Sequence, residues 1–219
     1  MLKSFFKYAG KFLKEFLYPK QCVFCNSTIW GFTEHAVCNN CKDADIHIKC
    51  VRSDKYAFDE AIGVIKYEKG ARKAMGEYKF HGVYYYAYTF AFIMNENTKD
   101  RSYLKEALMC PVPLSYGRER EYNQTALLAR EINKLWNNEY TEDLMYKSRE
   151  VAPLSKMKLP QRRFYVKNAF SLNPQYDIYG KDILLIEDIF TSGTTADECA
   201  KVLKANGANK VYVLAACYD

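Results

Sequence analysis

Two rhythms of apolar and polar positions organise this chain. At its start, Leu2, Phe5, Phe6, Ala9, Phe12, Leu13, Phe16 and Leu17 recur at helical spacing, with Lys3, Lys7, Lys11 and Lys14 on the remaining faces. Pro19 ends the run, so the pattern predicts an amphipathic helix over residues 1–20. Two readings stay open: a helix that meets a membrane surface or partner, or one docked on its own protein with solvated lysines. Residues 22–50 are rich in cysteine and lack strong periodicity.

Beyond residue 50 the rhythm alternates between strand and helix. Ala57–Tyr67 reads as a strand, Gly70–Phe80 as a short helix and Val83–Asn95 as a largely buried helix. Glu106–Leu114 reads as a strand ending in a proline-marked loop, Gln124–Trp136 as a helix and Asp143–Tyr146 as a short strand. Lys147–Lys167 is irregular and punctuated by Pro153 and Pro160. Asp182–Glu187 reads as a strand, Thr195–Asn206 as a helix stopped by Gly207, and Val211–Cys217 as a last strand. Strands alternating with helices predict an α/β domain with a mainly parallel sheet flanked by helices. The expected organisation is a helix over 1–20, a cysteine knuckle over 21–52 and the α/β domain over 53–219, with the boundary near residues 50–56.

Composition narrows the class. With 219 residues, 49% hydrophobic and 16% aromatic, the chain buries too much apolar surface to remain disordered. The longest apolar run, Val83 to Met94, is broken by Thr89 and falls short of the roughly 20 residues that span a bilayer. The lysines of the first twenty residues interrupt any export signal, so a cytoplasmic protein is expected. The net charge is +6, and its distribution says more than its sum. Residues 1–20 hold five lysines against Glu15, and residues 147–167 hold seven basic residues against Glu150. The rest of the chain is therefore mildly acidic.

A cytoplasmic setting turns the eight cysteines away from disulfides and toward metal or buried thiols. Cys22-x-x-Cys25 and Cys38-x-x-Cys41 form two pairs separated by 12 residues. Each such turn places two thiolates on one side of a tight loop, and two turns complete a tetrahedral site for structural Zn²⁺. Cys50 is a spare thiol or an alternative ligand. Cys110, Cys199 and Cys217 fall in strand or helix patterns and read as buried small hydrophobes.

The segment from Lys181 to Thr195, KDILLIEDIFTSGTT, carries the chemistry. An apolar strand delivers Glu187 and Asp188 at its carboxyl end, where open α/β sheets bind ligands. A loop of small hydroxyl residues around Gly193 then runs into a helix N-terminus, an arrangement suited to a phosphate dianion. No Gly-Lys-Ser/Thr follows, so this is not a Walker A loop.

At these residues the chain resembles the signature of type I phosphoribosyltransferases, which bind phosphoribosyl pyrophosphate (PRPP). The resemblance implies that Glu187 and Asp188 contact the ribose 2′- and 3′-hydroxyls, with Mg²⁺, while Thr191, Ser192, Gly193, Thr194 and Thr195 hold the 5′-phosphate. An N-terminal four-cysteine knuckle before such a domain is similar to the ComF family, cytoplasmic competence proteins linked to uptake of transforming DNA. Glu77-Tyr-Lys79-Phe80-His-Gly82 matches that family's Lys-aromatic-x-Gly segment. Cys110-Pro111-Val112-Pro113-Leu114, with Arg118, Arg120, Tyr122, Asn123 and Gln124, matches its Pro-Val-Pro and Arg…Asn-Gln stretches. The likeness runs from about residue 19 to the C-terminus. Glu187 replaces the commoner Asp, Glu121 stands where a Gly is usual, and Leu154 and Val166 replace a Gln and an Asn.

The likeness implies handling of single-stranded DNA, a PRPP-like ligand, and a competence helicase or recombinase loader as further partner. Lys79, Arg118, Arg120, Arg162 and Arg163 are candidate contacts to pyrophosphate or nucleic-acid phosphate. Arg118 and Arg120 read equally as a solvated Arg/Glu alternation, and Asn123 and Gln124 as caps of the following helix. The basic stretch 147–167, interleaved with Tyr146, Phe164 and Tyr165, suits single strands and equally suits an active-site flap that meets pyrophosphate. His35, His47 and His81 are isolated and form no acid–base pair. Two rival functions remain: a phosphoribosyltransferase acting on a nitrogen base or amine, and a partner-binding scaffold with a vestigial site.

Overall fold

A computed structural model of the protein describes residues 19–30, 35–41, 46–113, 123–148 and 167–219. The expected N-terminal helix, Arg118, Arg120, Arg162, Arg163 and most of the basic stretch lie outside the described residues. The chain begins with two short strands, β1 (Lys20–Gln21) and β2 (Thr28–Ile29), paired antiparallel across the first cysteine turn. The main sheet then starts with β3 (Ile46–Val51) and β4 (Glu60–Lys66).

Helices α1 (Lys69–Phe80), α2 (Tyr86–Glu96) and the short α3 (Ser102–Glu106) lead into β5 (Leu108–Pro111). Helix α4 (Gln124–Trp136) follows, then a two-stranded hairpin of β6 (Met145–Lys147) and β7 (Phe170–Leu172). The chain closes with β8 (Ile183–Phe190), α5 (Thr194–Ala205) and β9 (Val211–Tyr218).

The five-stranded sheet has the order β3-β4-β9-β8-β5. Strands β4, β9, β8 and β5 run parallel, and β3 joins the edge antiparallel through Cys50↔Ile62 and Val51↔Ala61. Residues 46–51, on the knuckle side of the expected boundary, therefore belong to the main sheet. Most of β3 is exposed, so it carries no apolar alternation by which a sequence pattern could reveal it.

The central strands are buried on both faces, as parallel strands covered by helices require. On one face Leu184, Ile186 and Leu214 pack with α1, α2 and α4. On the other, Ile183, Leu185, Val211 and Val213 pack with α5 and the β6–β7 hairpin. Along β8 successive side chains point to opposite faces, which decides the surroundings of Glu187 and Asp188.

The cysteine turn is fused to the first of these cores. Cys22, Val23 and Phe24 are buried in the same cluster as Ala71 and Met75 of α1. Gly70 makes the approach possible: a Cβ there would lie 2.7 Å from the Phe24 carbonyl oxygen. The knuckle thus rests directly on the amino end of α1. The opposite end of that helix presents Lys79.

Candidate functional site

The phosphate-loop candidate is built at the carboxyl edge of the sheet. Strand β8 runs on to Phe190, three residues beyond the expected end at Glu187, so both acidic residues sit within it. Gly193 adopts φ 67° as the N-cap of α5, a conformation that L side chains rarely take. A Cβ there would also come within 3.0 Å of the Phe190 ring. Asp197 N–H donates to the Gly193 carbonyl at 2.8 Å, the first bond of the helix.

The hydroxyls around this turn converge. Ser192 Oγ and Thr194 Oγ1 are 2.8 Å apart, and Tyr56 OH donates to the Ser192 carbonyl at 3.4 Å. Thr194 is nearly buried, while Thr191 is exposed. Asp197, in the first turn of α5, accepts from Ala57 N–H at 2.7 Å and pairs with Lys201 at 2.8 Å. Its charge is thereby occupied by its own neighbours. A cleft of about 520 Å³ opens beside the turn, lined by Lys55, Tyr56, Lys167, Thr194, Glu198 and Lys201 among others. Tyr56 is a neighbour of this loop that no local pattern reveals, because the contact spans 136 residues.

The two acids have different fates. Asp188 follows Leu184 and Ile186 toward the α1 face, where Lys79 Nζ meets its Oδ2 at 2.6 Å. The same carboxylate accepts from Ile189 N–H. Lys79 is itself held in place: Gln124 Nε2 donates to the Lys79 carbonyl at 3.0 Å, and Tyr78 OH donates to the Gln124 carbonyl at 2.6 Å. Gln124 and Tyr78 are fully buried, which makes this a rigid clamp between the carboxyl end of α1 and the amino end of α4. Asn123, read from sequence as a cap, accepts from Ala126 N–H at 3.1 Å at the start of α4.

Glu187 continues the series Ile183, Leu185 toward the α5 face. Its Oε2 is shielded from solvent with no hydrogen-bond partner among the described residues. Burial, reinforced by the Asp188 charge, pushes its carboxyl up to about 8. Burial also pushes the Lys147 ammonium on β6, over the Phe170 ring at 5.6 Å, down to about 8. The buried Cys199 thiol of α5 is raised by burial first and then by Glu187.

The second constellation is the knuckle. The ligand atoms of Cys22, Cys25, Cys38 and Cys41 all lie within 4.8 Å of one another. The Cys25 and Cys38 sulfurs are 3.7 Å apart, close to the roughly 3.8 Å edge of a tetrahedron with 2.3 Å zinc–sulfur bonds. These four residues could hold a metal ion, and no histidine joins such a group among the described residues. Cys50 stands apart on β3, where Arg101 Nη2 donates to its sulfur at 3.4 Å. Cys110, Cys199 and Cys217 are fully buried.

Among the described residues no helix is long and apolar enough to cross a membrane. The mixed sheet with flanking helices, the acidic pair in β8, the hydroxyl–glycine turn and the four-cysteine cluster define an α/β protein with an N-terminal cysteine knuckle. In sequence the chain is similar to competence protein F of Haemophilus influenzae, 24% identical over 93% of this chain and 85% of that protein. It is also similar to competence protein ComFC of Streptococcus pneumoniae, 29% identical over 87% of this chain and 84% of that protein. The DNA utilization protein YhgH of Escherichia coli O157:H7 matches 48% of this chain and 47% of its own length at 30% identity.

No family model matches. A hypoxanthine phosphoribosyltransferase from Staphylococcus aureus aligns over 57% of this chain with TM-score 0.41 and 18% identity, and the chain spans 61% of that structure. An allosteric regulatory enzyme of purine biosynthesis aligns over 65% of this chain and 30% of its own, with TM-score 0.45 and 16% identity.

Proposed function

We propose that this protein is a ComF-like competence protein that binds PRPP, or a related phosphoribosyl ligand, and assists in handling single-stranded DNA during transformation. The observation that carries the ligand half is the turn after β8, where Gly193 opens the α5 N-terminus beside the Ser192 and Thr194 hydroxyls. Thr191, Ser192, Gly193, Thr194 and Thr195 would hold the 5′-phosphate through backbone and hydroxyl groups. Glu187 and Asp188 would take the ribose hydroxyls. Lys79, already on Asp188, stands ready for pyrophosphate, together with Arg118, Arg120, Arg162 and Arg163, assigned from sequence alone. Mg²⁺ bound with the ligand would neutralise the pyrophosphate oxygens.

Zn²⁺ in the Cys22, Cys25, Cys38 and Cys41 site would be structural, since four thiolates leave no open position for catalysis. On this reading the chain is organised as the helix 1–20, a cysteine segment 21–52 whose last strand, β3, joins the main sheet, and the ligand-binding domain 53–219, in a cytoplasmic protein. The DNA half rests on the sequence likeness to competence proteins and to a DNA utilization protein.

Calorimetry with PRPP and Mg²⁺ tests the ligand half. The wild-type protein is expected to bind, and a Glu187→Gln, Asp188→Asn double variant to bind at least about tenfold more weakly, with the loss of the charge-assisted hydrogen bond from Asp188 and of the Glu187 carboxyl. Undiminished binding by the double variant overturns the assignment. Single-stranded oligonucleotide added as competitor shows whether DNA shares the site. Release of pyrophosphate on adding a nitrogenous acceptor would extend the reading to a transferase.

A further inference from the structure

Residues 52–59 connect β3 to β4. Antiparallel neighbours are ordinarily joined by about two to five residues, so this link is longer than strand pairing requires. The extra chain is tied to both ends of α5. At one end Asp59 N–H donates to the Val211 carbonyl and its carboxylate accepts from Val211 N–H, both at 2.8 Å. The same carboxylate meets Lys204 Nζ, in the last turn of α5, at 2.8 Å. At the other end Ala57 N–H donates to Asp197 Oδ1, in the first turn, at 2.7 Å, and Tyr56 OH donates to the Ser192 carbonyl.

The same link packs under the hydroxyl–glycine turn. The Tyr56 ring stacks on Phe58 at 4.7 Å, and Phe58 meets Phe190 edge-on at 5.9 Å. Gly193 closes onto these rings: a Cβ there would lie 3.0 Å from Phe190 and 3.4 Å from Tyr56. A glycine turn has little stiffness of its own, and helix N–H groups bind an anion best when they already point at it. The fixing comes from outside the turn. Both anchor atoms, the Ser192 carbonyl oxygen and Asp197 Oδ1, are acceptors that a phosphate does not use, so every donor of the turn stays available.

We infer that residues 56–59 are a strap that presets the turn for the 5′-phosphate, with Tyr56 and Asp197 as positioning residues. They hold the α5 N-terminus in the shape that receives the phosphate and act through Ser192, Gly193 and the first helical turn. The inference rests on the ligand half of the function proposed above and adds to it the residues that order the site.

The test is calorimetry on the full chain with two probes, PRPP with Mg²⁺ and inorganic pyrophosphate with Mg²⁺. Asp197→Asn keeps an oxygen acceptor for Ala57 N–H, and Asp197→Ala removes it. Both lack the charge, so their difference reports the tie alone. Asp197→Ala is expected to bind PRPP at least about fivefold more weakly than Asp197→Asn, the weight of one hydrogen bond. Tyr56→Leu is expected to bind PRPP at least about threefold more weakly than Tyr56→Phe, which keeps the ring under Gly193. Pyrophosphate has no 5′-phosphate, and its affinity is expected to stay within about twofold across the four variants. A general loosening of the domain would weaken both probes together. Equal PRPP affinity within either pair, or a matching loss for pyrophosphate, overturns the strap and leaves the ligand reading standing. Absence of PRPP binding by the wild type overturns the ligand reading, and the strap with it.

Discussion

The two faces of β8 treat neighbouring carboxylates in opposite ways. On the α1 face, Asp188 is answered by Lys79 at 2.6 Å, and the lysine is fixed by Gln124 and Tyr78. On the α5 face, Glu187 has one oxygen without a hydrogen-bond partner among the described residues, and burial raises its carboxyl to about 8. Strand alternation forces this split, because consecutive side chains must leave on opposite sides. A pair of acids that reads as one unit in sequence is therefore one anion held in place and one carboxyl that stays protonated near neutral pH. A bound metal would find the first ready and would have to displace a proton from the second, whereas a sugar hydroxyl would accept a hydrogen bond from the protonated carboxyl.

The comparison is broken most directly on the paired side. Replacing Lys79 with Met leaves Asp188 largely buried, its side chain 12% exposed, without its counter-charge. Uncompensated charges of this kind cost several kcal/mol, so a loss of about 3 kcal/mol is expected in denaturant unfolding. Adding Asp188→Asn should restore much of it, because the second substitution removes the orphaned charge. A Lys79→Met variant as stable as wild type would mean that the ion pair contributes nothing to holding the α1–β8 junction.

On the unpaired side the expected effect is smaller and depends on pH. Glu187 titrates near 4.5 in the unfolded chain and at about 8 when folded, so between those values the folded state binds a proton that the unfolded chain has released. Stability contributed by this group is full below about pH 4.5, falls as pH rises and is lost above about 8. Glu187→Gln abolishes the dependence. The variant should match wild type near pH 4 and exceed it progressively as the pH rises to 8. Lys147, lowered to about 8, acts in a separate window: its contribution changes only between about pH 8 and its ordinary value, and there stability rises with pH. Parallel stability–pH curves for wild type and Glu187→Gln would show that Glu187 is ionised at neutrality.

The asymmetry explains what the sequence made legible. Helices α1, α4 and α5 and strands β4, β8 and β9 declare themselves because their apolar positions follow one clear period, and Asn123 and Gly193 mark helix starts by local chemistry. The acidic pair and the hydroxyl–glycine turn are contiguous, so their order survives in the sequence. Strand β3 did not declare itself, since its residues are mostly exposed and its partner β4 is remote in the pattern. The short β7 was equally silent, with Phe170 its one fully buried residue. The split between Glu187 and Asp188 was hidden because β8 extends past both, and strand length is the least readable property of an apolar run. The Lys79 clamp joins residues 45 apart in the chain through a backbone carbonyl, which no side-chain pattern records.

The finest probe of the two faces is the cap of α4. Asn123→Ala removes the acceptor for Ala126 N–H and for the nearby Thr125 hydroxyl at 2.8 Å, and should cost about 1 kcal/mol. The cap borders Gln124, which holds the Lys79 carbonyl, so fraying there loosens the paired face specifically. A double-mutant cycle makes this measurable. Asn123→Ala and Lys79→Met should interact by more than about 0.5 kcal/mol, since both act on one hydrogen-bonded junction. Asn123→Ala and Glu187→Gln should be additive within about 0.5 kcal/mol, since the sheet separates them. Equal coupling in both cycles would mean that β8 transmits between its faces, and that Glu187 and Asp188 respond to a ligand as one unit despite their opposite surroundings.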